Sequence, residues 1–256
     1  MTSLNHLHLK IVIPLLLGLL LTGCASVDNR KDPLESMNRA VFGFNETVDE
    51  KVIEPVARGY KYVVPDPVEQ IVHNFFSNLD DVVVTVNSLL QLNFMGTAGS
   101  GTRLLINTTA GLGGMMDIAS DINAIGGLDV TKRNEDFGQT LGHYGVASGF
   151  YLVLPVLGPS SARDSFGMAV DTLLMHPITN VFWTKELLGF YDYKVQLPLA
   201  TLKSLDERVQ FLDADKALEE AALDKYEFVR DAYMQRRESL IYNGDPPEVN
   251  YEDDEE

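Results

Sequence analysis

Cysteine is all but missing from this 256-residue sequence: Cys24 stands alone, so no disulfide framework and no Cys-x-x-Cys motif can hold the fold. Histidine occurs only at 6, 8, 73, 143 and 176, with no two of the last three at ligand spacing, so no metal site is expected. Positive charge is scarce as well. Twenty Lys and Arg against thirty-seven Asp and Glu give a formal net charge of −17, which argues against nucleic acid and against electrostatic adhesion to anionic lipid. Any contact of the folded chain with a membrane must therefore be mostly apolar. Catalytic groupings are lacking too. Gly158-Pro159-Ser160-Ser161 is not a Gly-x-Ser-x-Gly elbow, which leaves Ser160 or Ser161 with His143 as base a poor hydrolase. The glycines of 111–114 are not followed by Gly-Lys-Ser/Thr, so they form no phosphate loop. Neither an enzyme nor a cofactor is expected.

Long apolar runs are also absent. The longest, Ile11 to Leu21, has eleven residues, whereas a hydrocarbon core needs about twenty. Preceded by Lys10 and followed by Leu21-Thr22-Gly23-Cys24, it has the layout of a secretory signal peptide over residues 1–23. The tetrapeptide resembles the lipobox of bacterial lipoproteins, which implies cleavage before Cys24 and acylation of its thiol. Ala25 and Ser26 lack the aspartate that usually retains such proteins at the inner membrane, so the outer membrane, periplasmic face, is expected. Several acyl chains at about 0.8 kcal/mol per buried methylene make that anchor effectively permanent. Residues 24–31 read as a lipidated tether and residues 245–256, with seven acids, as a disordered acidic tail.

Between these ends, helical spacing dominates. Asp32, Pro33 and Glu35 form a capping box before a seam of Leu34, Met37, Val41, Phe44 and Val48. Pro55 and the Val-Pro-Asp-Pro of 64–67 are expected breaks. A second stripe from Val68 to Leu79 follows, with Asp80 or Asp81 capping a third helix that carries Val83, Val86, Leu89 and Leu90. Another helix is expected near 97–109. Ten glycines between Gly111 and Gly158 then predict turns and close approaches with short helical pieces. Inside that stretch, Phe150 to Leu157 suits a buried strand, a short buried helix or a segment dipped into lipid, and periodicity does not choose among them. Helical patterning resumes from about Ser165, breaks at Pro177, continues through Val181, Phe182, Leu187 and Leu188, and after Pro198 gives one or two charged helices reaching about Tyr242 with a break near Asp213 and Asp215. Arg163-Asp164 and Arg230-Asp231 read as structural pairs.

Three stretches together resemble the VacJ/MlaA family of outer-membrane lipoproteins. Asp32-Pro33-Leu34-Glu35-Ser36-Met37-Asn38-Arg39 continuing to Phe42-Gly43-Phe44-Asn45 follows the family's opening pattern. Asp136 to Val146, then Gly149, Tyr151, Leu154-Pro155, Gly158-Pro159-Ser160, Arg163-Asp164 and Gly167, follow its centre. Tyr226, Arg230, Tyr233, Gln235, Arg236 and Gly244 follow its closing helix, and Asn107-Thr108, Gly111, Gly114 and Asp117 agree. Phe150, where relatives often carry proline, and the acidic tail depart from it.

The resemblance implies an all-α fold: one ring- or disc-like helical domain over 32–244, embedded in the inner leaflet of the outer membrane, with a glycine-rich irregular central segment and an amphipathic channel. It implies removal of mislocalised phospholipid from the outer leaflet and transfer to a soluble, MlaC-like periplasmic carrier beside a trimeric outer-membrane porin. A structural lipoprotein that braces a porin without conducting lipid is the alternative. On this reading Asn38, Arg39, Phe42, Asn45, Phe150, Tyr151 and Leu154 line or brace the channel, and Gly138, Gly142, Gly145 and Gly149 form its gate or turns.

Overall fold

The chain runs through a series of helices interrupted by one small β-hairpin. The computed structural model describes residues 32–126, 129–179, 193–221 and 223–246. The signal peptide, Cys24, the tether, the pattern around Val181 to Leu188 and most of the acidic tail lie outside them. In chain order the elements are α1 (Glu35–Val48), a π-helical turn (Asp49–Ile53), α2 (Glu54–Val63), α3 (Asp66–Leu90), α4 (Phe94–Thr109), α5 (Ile118–Ala124), α6 (Phe137–His143), β1 (Tyr151–Leu154), β2 (Gly158–Ser161), α7 (Ala162–Val170), a second π-helical turn (Asp171–Met175), α8 (Tyr193–Ala221) and α9 (Lys225–Ile241). The fold is mostly helical, and among the described residues no helix is long and apolar enough to cross a membrane.

Several expected boundaries move, each for a physical reason. Asp32 does not cap α1. Its side chain is fully buried and accepts instead from Asn38 Nδ2 at 3.0 Å and from the Tyr226 hydroxyl, so the helix opens at Glu35. Pro55 does not end the helical path: it sits in the first turn of α2, and the π-helical turn before it absorbs the carbonyl its ring would otherwise strike. Val64, before Pro65, is extended at ψ 123°, as a residue preceding proline tends to be. The two helices expected on either side of Asp80 and Asp81 are one, α3, of 25 residues. Neither aspartate caps: Asp81 is buried against Lys132 Nζ at 2.7 Å and Arg103 Nε at 3.2 Å, and Asp80 pairs with His176 Nε2 and Lys203 Nζ, both at 3.2 Å. Likewise Pro198 lies inside α8, which continues past Asp213 and Asp215, and Asp224 caps α9 by accepting from Glu227 N at 3.2 Å.

Helices α3 and α4 form an antiparallel hairpin, with Asn93 capping α4 by accepting from Gly96 N at 2.8 Å. In the glycine-rich segment α5 and α6 are seven residues each, capped by Asp117 and Asp136. The apolar run expected as strand, helix or lipid contact resolves into β1, antiparallel to β2 with Tyr151 opposite Ser161 and Leu154 opposite Gly158. Val156, at φ 67°, turns the hairpin. Ser161 caps α7 by accepting from Asp164 N at 3.1 Å.

Burial is inverted relative to a water-soluble domain. Among the described residues eighteen polar or charged side chains are buried against twelve apolar ones, while thirty-three large apolar side chains are exposed. What packing exists is close: a Cβ on Gly167 of α7 would stand 2.3 Å from Gly138 N of α6. Gly167→Ala is therefore expected to destabilise the protein by about 1–3 kcal/mol. Gly43→Ala, on a helix face with nothing within 4 Å, should raise stability by about 0.5–1 kcal/mol. Denaturant titration of both variants checks this, and equal effects would contradict the packing described.

Candidate functional site

Strand β1 uses one edge for β2, and α1 supplies the partner for the other. Asn38 Nδ2 donates to Tyr151 O at 3.0 Å and its Oδ1 accepts from Val153 N at 2.9 Å. One step on, Asn45 Nδ2 donates to Leu154 O at 2.9 Å and its Oδ1 accepts from Val156 N at 2.8 Å. A primary amide carries a donor and an acceptor, as a peptide group does, so each asparagine completes the ladder. Seven helical residues rise about 10.5 Å and three extended residues about 10 Å, so the second asparagine reaches the end of the strand, where Val156, turned at φ 67°, presents its N–H to α1. Asn38 is fully buried.

The other residues expected at a channel gather round this seam. Phe42 packs edge-on to Tyr226, ring centroids 5.7 Å apart, in a core with Tyr151 and Val153. Arg39 bonds Glu35 at 2.7 Å, Asp224 at 2.8 Å and Glu227 at 3.3 Å, with its guanidinium 4.4 Å from the centre of the Tyr226 ring, so it ties α1 to α9. Burial, with Asp32 nearby, pushes the Tyr151 hydroxyl up to about 12. Leu154 is half-buried, and Phe150 is exposed just before the strand.

The four glycines divide into two kinds. Gly145 and Gly149 have φ of 84° and 70°, in the left-handed region that turns favour. Gly138 and Gly142 are close approaches instead. A Cβ on Gly138 would lie 2.6 Å from Asp164 Oδ1 and 3.0 Å from Asp136 Oδ1, the two carboxylates that Arg237 of α9 clasps. Asp164 also accepts from Arg163 Nε at 2.9 Å and from the Tyr233 hydroxyl at 2.8 Å. Burial alone would raise its carboxyl, but Arg163 and Arg237 outweigh that and hold it at about 2. Arg163 with Asp164, and Arg230 with Asp231 at 2.9 Å, are ion pairs within the fold. Ser161 is spent on its cap, and Ser160 Oγ lies 2.9 Å from Ser165 Oγ.

Two adjoining cavities flank the hairpin turn. The larger, about 740 Å³, is an apolar groove between α2 and α8, walled by Val52, Val56, Val156, Leu157, Leu205 and Phe211. The smaller, about 320 Å³, has a mixed lining with more charge in it, from Phe42, Asn45, Glu46, Glu50, Arg58 and Lys225 among others. Asp49, Ile53, Val156 and Arg208 border both, and Arg208 grips Asp49 through Nε at 2.8 Å and Nη2 at 2.6 Å. Phe42 and Asn45 thus face one cavity, while the groove was missed. Its only sequence signal was Val156-Leu157 in the apolar run, since Asp49 and Arg208 are 159 residues apart.

Replacing Asn38 by Ala should cost about 2–5 kcal/mol, because Tyr151 O and Val153 N are left unpaired in the core, whereas Asn45→Ala should cost about 1 kcal/mol, since water reaches Val156. Urea denaturation distinguishes them, and equal costs would sink the ladder assignment. Asp164 should contribute stability above pH ~4, its unfolded range, that is lost as pH falls through about 2. Acid titration of Arg237→Gln should show a shallower loss in that window than the parent chain.

The model of the MlaA lipoprotein family matches residues 30–240. The intermembrane phospholipid transport system lipoprotein MlaA of Escherichia coli (strain K12) is 35% identical over 231 residues, 88% of this chain and 86% of that one. An uncharacterized protein of Rickettsia felis is 35% identical over 219 residues, 86% of this chain and 80% of that one. A solved structure described as the structural basis for maintenance of bacterial outer membrane lipid asymmetry aligns with a TM-score of 0.69 at 32% identity, covering 83% of this chain and 100% of that chain. With a family model that spans most of its length and relatives of this identity along it, the chain belongs to the MlaA lipoprotein family.

Proposed function

We propose that this protein is the outer-membrane lipoprotein of an intermembrane phospholipid transport system, taking phospholipid that has strayed into the outer leaflet and passing it to a soluble periplasmic carrier, so that outer-membrane lipid asymmetry is maintained. Cys24 carries the acyl anchor on the periplasmic face. The helical body lies as a disc in the inner leaflet beside a trimeric porin.

The observation that carries the reading is the tip of the α3–α4 hairpin. Leu89, Leu90, Leu92, Phe94 and Met95 are all exposed there, yet the backbone that joins the two helices is paired: the N–H groups of Gln91, Leu92, Asn93 and Phe94 bond Asn87, Leu89, Ser88 and Leu92 carbonyls at 2.9–3.1 Å. The Tyr144 hydroxyl covers Leu90 O at 2.6 Å. The polar side chains turn inward, Gln91 to Glu135 and Asn93 to its cap. An apolar surface with a satisfied backbone is what hydrocarbon demands and water does not.

The path for lipid runs through the paired cavities. Two acyl chains carry roughly thirty methylenes, and at about 0.8 kcal/mol each their exposure would cost on the order of 25 kcal/mol. The apolar groove shelters tails, and the more charged cavity beyond Asp49 and Arg208 takes the head. Asn38 and Arg39 brace this path, Phe42 and Asn45 border it, and β1 with Phe150, Tyr151 and Leu154 forms its rigid side. Any gating motion at the glycines belongs to the turns at Gly145 and Gly149, since Gly138 and Gly142 are packed against side chains. Moving a lipid breaks no bond, so the reading asks for no catalytic group.

Native extraction followed by mass spectrometry should find intact diacyl phospholipid on the mature protein, transferable to a periplasmic carrier. Leu157→Asp and Phe211→Asp put charge on exposed groove walls and should cut transfer at least about tenfold with melting unchanged. Unaltered transfer would remove the groove from the path. A firm porin contact with no bound lipid would favour the bracing role instead.

A further inference from the structure

A third cavity, of about 420 Å³, lies away from the groove, between α3, α6, the π-helical turn after α7, and α9. Four carboxylates line it, and two have cations of their own. Asp80 pairs with Lys203 and His176, and Asp136 with Arg237. The other two do not. Glu135 accepts from the Gln91 amide at 2.8 Å, and Asp171 accepts from the Asn87 amide at 3.0 Å and from Phe137 N at 2.9 Å. All three donors are neutral, and among the described residues neither acid has an ion pair. Burial raises the Glu135 carboxyl and takes that of Asp171 up to about 6, with Asp136 adding to both, and the charges of Arg133 and His143 on the first and Arg237 on the second do not outweigh it.

A second observation is independent of charge. Gln139 lines the same cavity and is 2% exposed. Its Nε2 donates to Asp136 Oδ2 at 2.9 Å, but its amide oxygen has no hydrogen-bond donor among the described residues. A buried acceptor left unmatched is costly, so it marks a place for a donor. On the rim stands Arg236, an exposed guanidinium with no ion pair among the described residues. The site thus offers two carboxylates without an ion pair among the described residues and one unmatched carbonyl, with the guanidinium of Arg236 at the edge. A bare metal ion fits poorly, since no described cluster of His, Cys, Asp or Glu has the geometry to hold one. A primary ammonium brings three N–H donors and one positive charge, and a phosphate a few bonds away would meet Arg236.

We propose that this cavity seats a primary ammonium group, the head of an aminophospholipid, with Glu135, Asp171 and the Gln139 amide oxygen as acceptors and Arg236 facing the phosphate. The assignment rests on the phospholipid reading above and adds a second head-group station, apart from the cavity beside the groove, that gives the protein a head-group preference. A quaternary head lacks N–H donors and leaves the Gln139 oxygen unmatched, so it is discriminated against. An anionic head with no amine meets Glu135 and Asp171 with the wrong sign.

Calorimetric titration of the full mature protein with glycerophosphoethanolamine, glycerophosphocholine and free ethanolamine tests this. The ethanolamine diester should bind at least about tenfold more tightly than the choline diester, and Glu135→Gln and Asp171→Asn should each weaken it by about tenfold. Arg236→Ala, which removes an exposed side chain without a partner, should weaken the diester several-fold and leave free ethanolamine unaffected. Equal binding of the two diesters, or indifference to the folded Glu135 and Asp171 variants, would overturn the seat. Free ethanolamine binding as tightly as its diester would assign the site to soluble amines and overturn the lipid head. Phospholipid that co-purifies without head-group preference would end this inference and leave the transport reading standing. Absence of any co-purified or transferable phospholipid would instead end the transport reading, and the lipid-head assignment with it.

Discussion

Two asparagine side chains decide how this fold closes. Asn38 and Asn45 sit seven residues apart on α1 and bond the backbone of β1 and of the turn after it at points three residues apart, because two turns of helix and three extended residues have nearly the same rise. The same seam ties α1 to α9. Asn38 also donates to Asp32, Asp32 accepts from Tyr226 of α9, and Arg39 lies over the Tyr226 ring. At its far end Asn45 holds Val156 N, at the turn of the hairpin, so the ladder that begins in the core ends at the lip of the apolar groove.

A polar interior under an apolar exterior carries a strict condition. In low dielectric every unpaired charge is expensive, so the buried acids must be matched one by one. Asp81 has Lys132 and Arg103, and Asp164 has Arg163 and Arg237. Such pairs do not have to stabilise more than apolar packing would, since the desolvation of two charges offsets much of their attraction. What they supply is a core that stays satisfied while the apolar residues are free to face outward. The helix caps follow the same logic, with Asn93, Asp117, Asp136, Ser161 and Asp224 each accepting from a backbone N–H near its own helix start.

Much of this was legible in the sequence, and what was not has a common cause. Helical spacing located α1, α4, α7 and α9 to within a few residues because an amphipathic period is a local property. The glycine count announced turns and short helices, and α5 and α6 are that short. Polar side chains were misjudged wherever a distant partner outcompeted a near one. Asp32 was expected at a cap and serves a tyrosine 194 positions on, and Asp80 and Asp81 were expected between two helices and serve cations on other elements. A cap offers a hydrogen bond worth about 1 kcal/mol, whereas leaving a buried guanidinium or tyrosine unmet costs more, so the tertiary demand wins. The groove eluded the sequence for the same reason: its walls come from α2, the hairpin turn and α8, and no short window holds two of them.

The walls of that groove differ in how firmly they are held. The hairpin side is pinned by four amide hydrogen bonds and an aromatic core of Tyr151 and Tyr226 with Phe42 against them. The α8 side rests on a small apolar cluster, Ala57 with Val209 and Leu212, and on charged contacts: Arg208 with Asp49, Lys203 with Asp80, His73 with Asp206 at 3.0 Å. Partly exposed ion pairs are typically worth about 0–1 kcal/mol each, and three of them do not equal a buried ladder. The side of lowest local stability is the one that yields first. Any widening of the groove is therefore expected on the α8 side and not on the hairpin side, and Arg208, on α8 and bordering both cavities, would move with it.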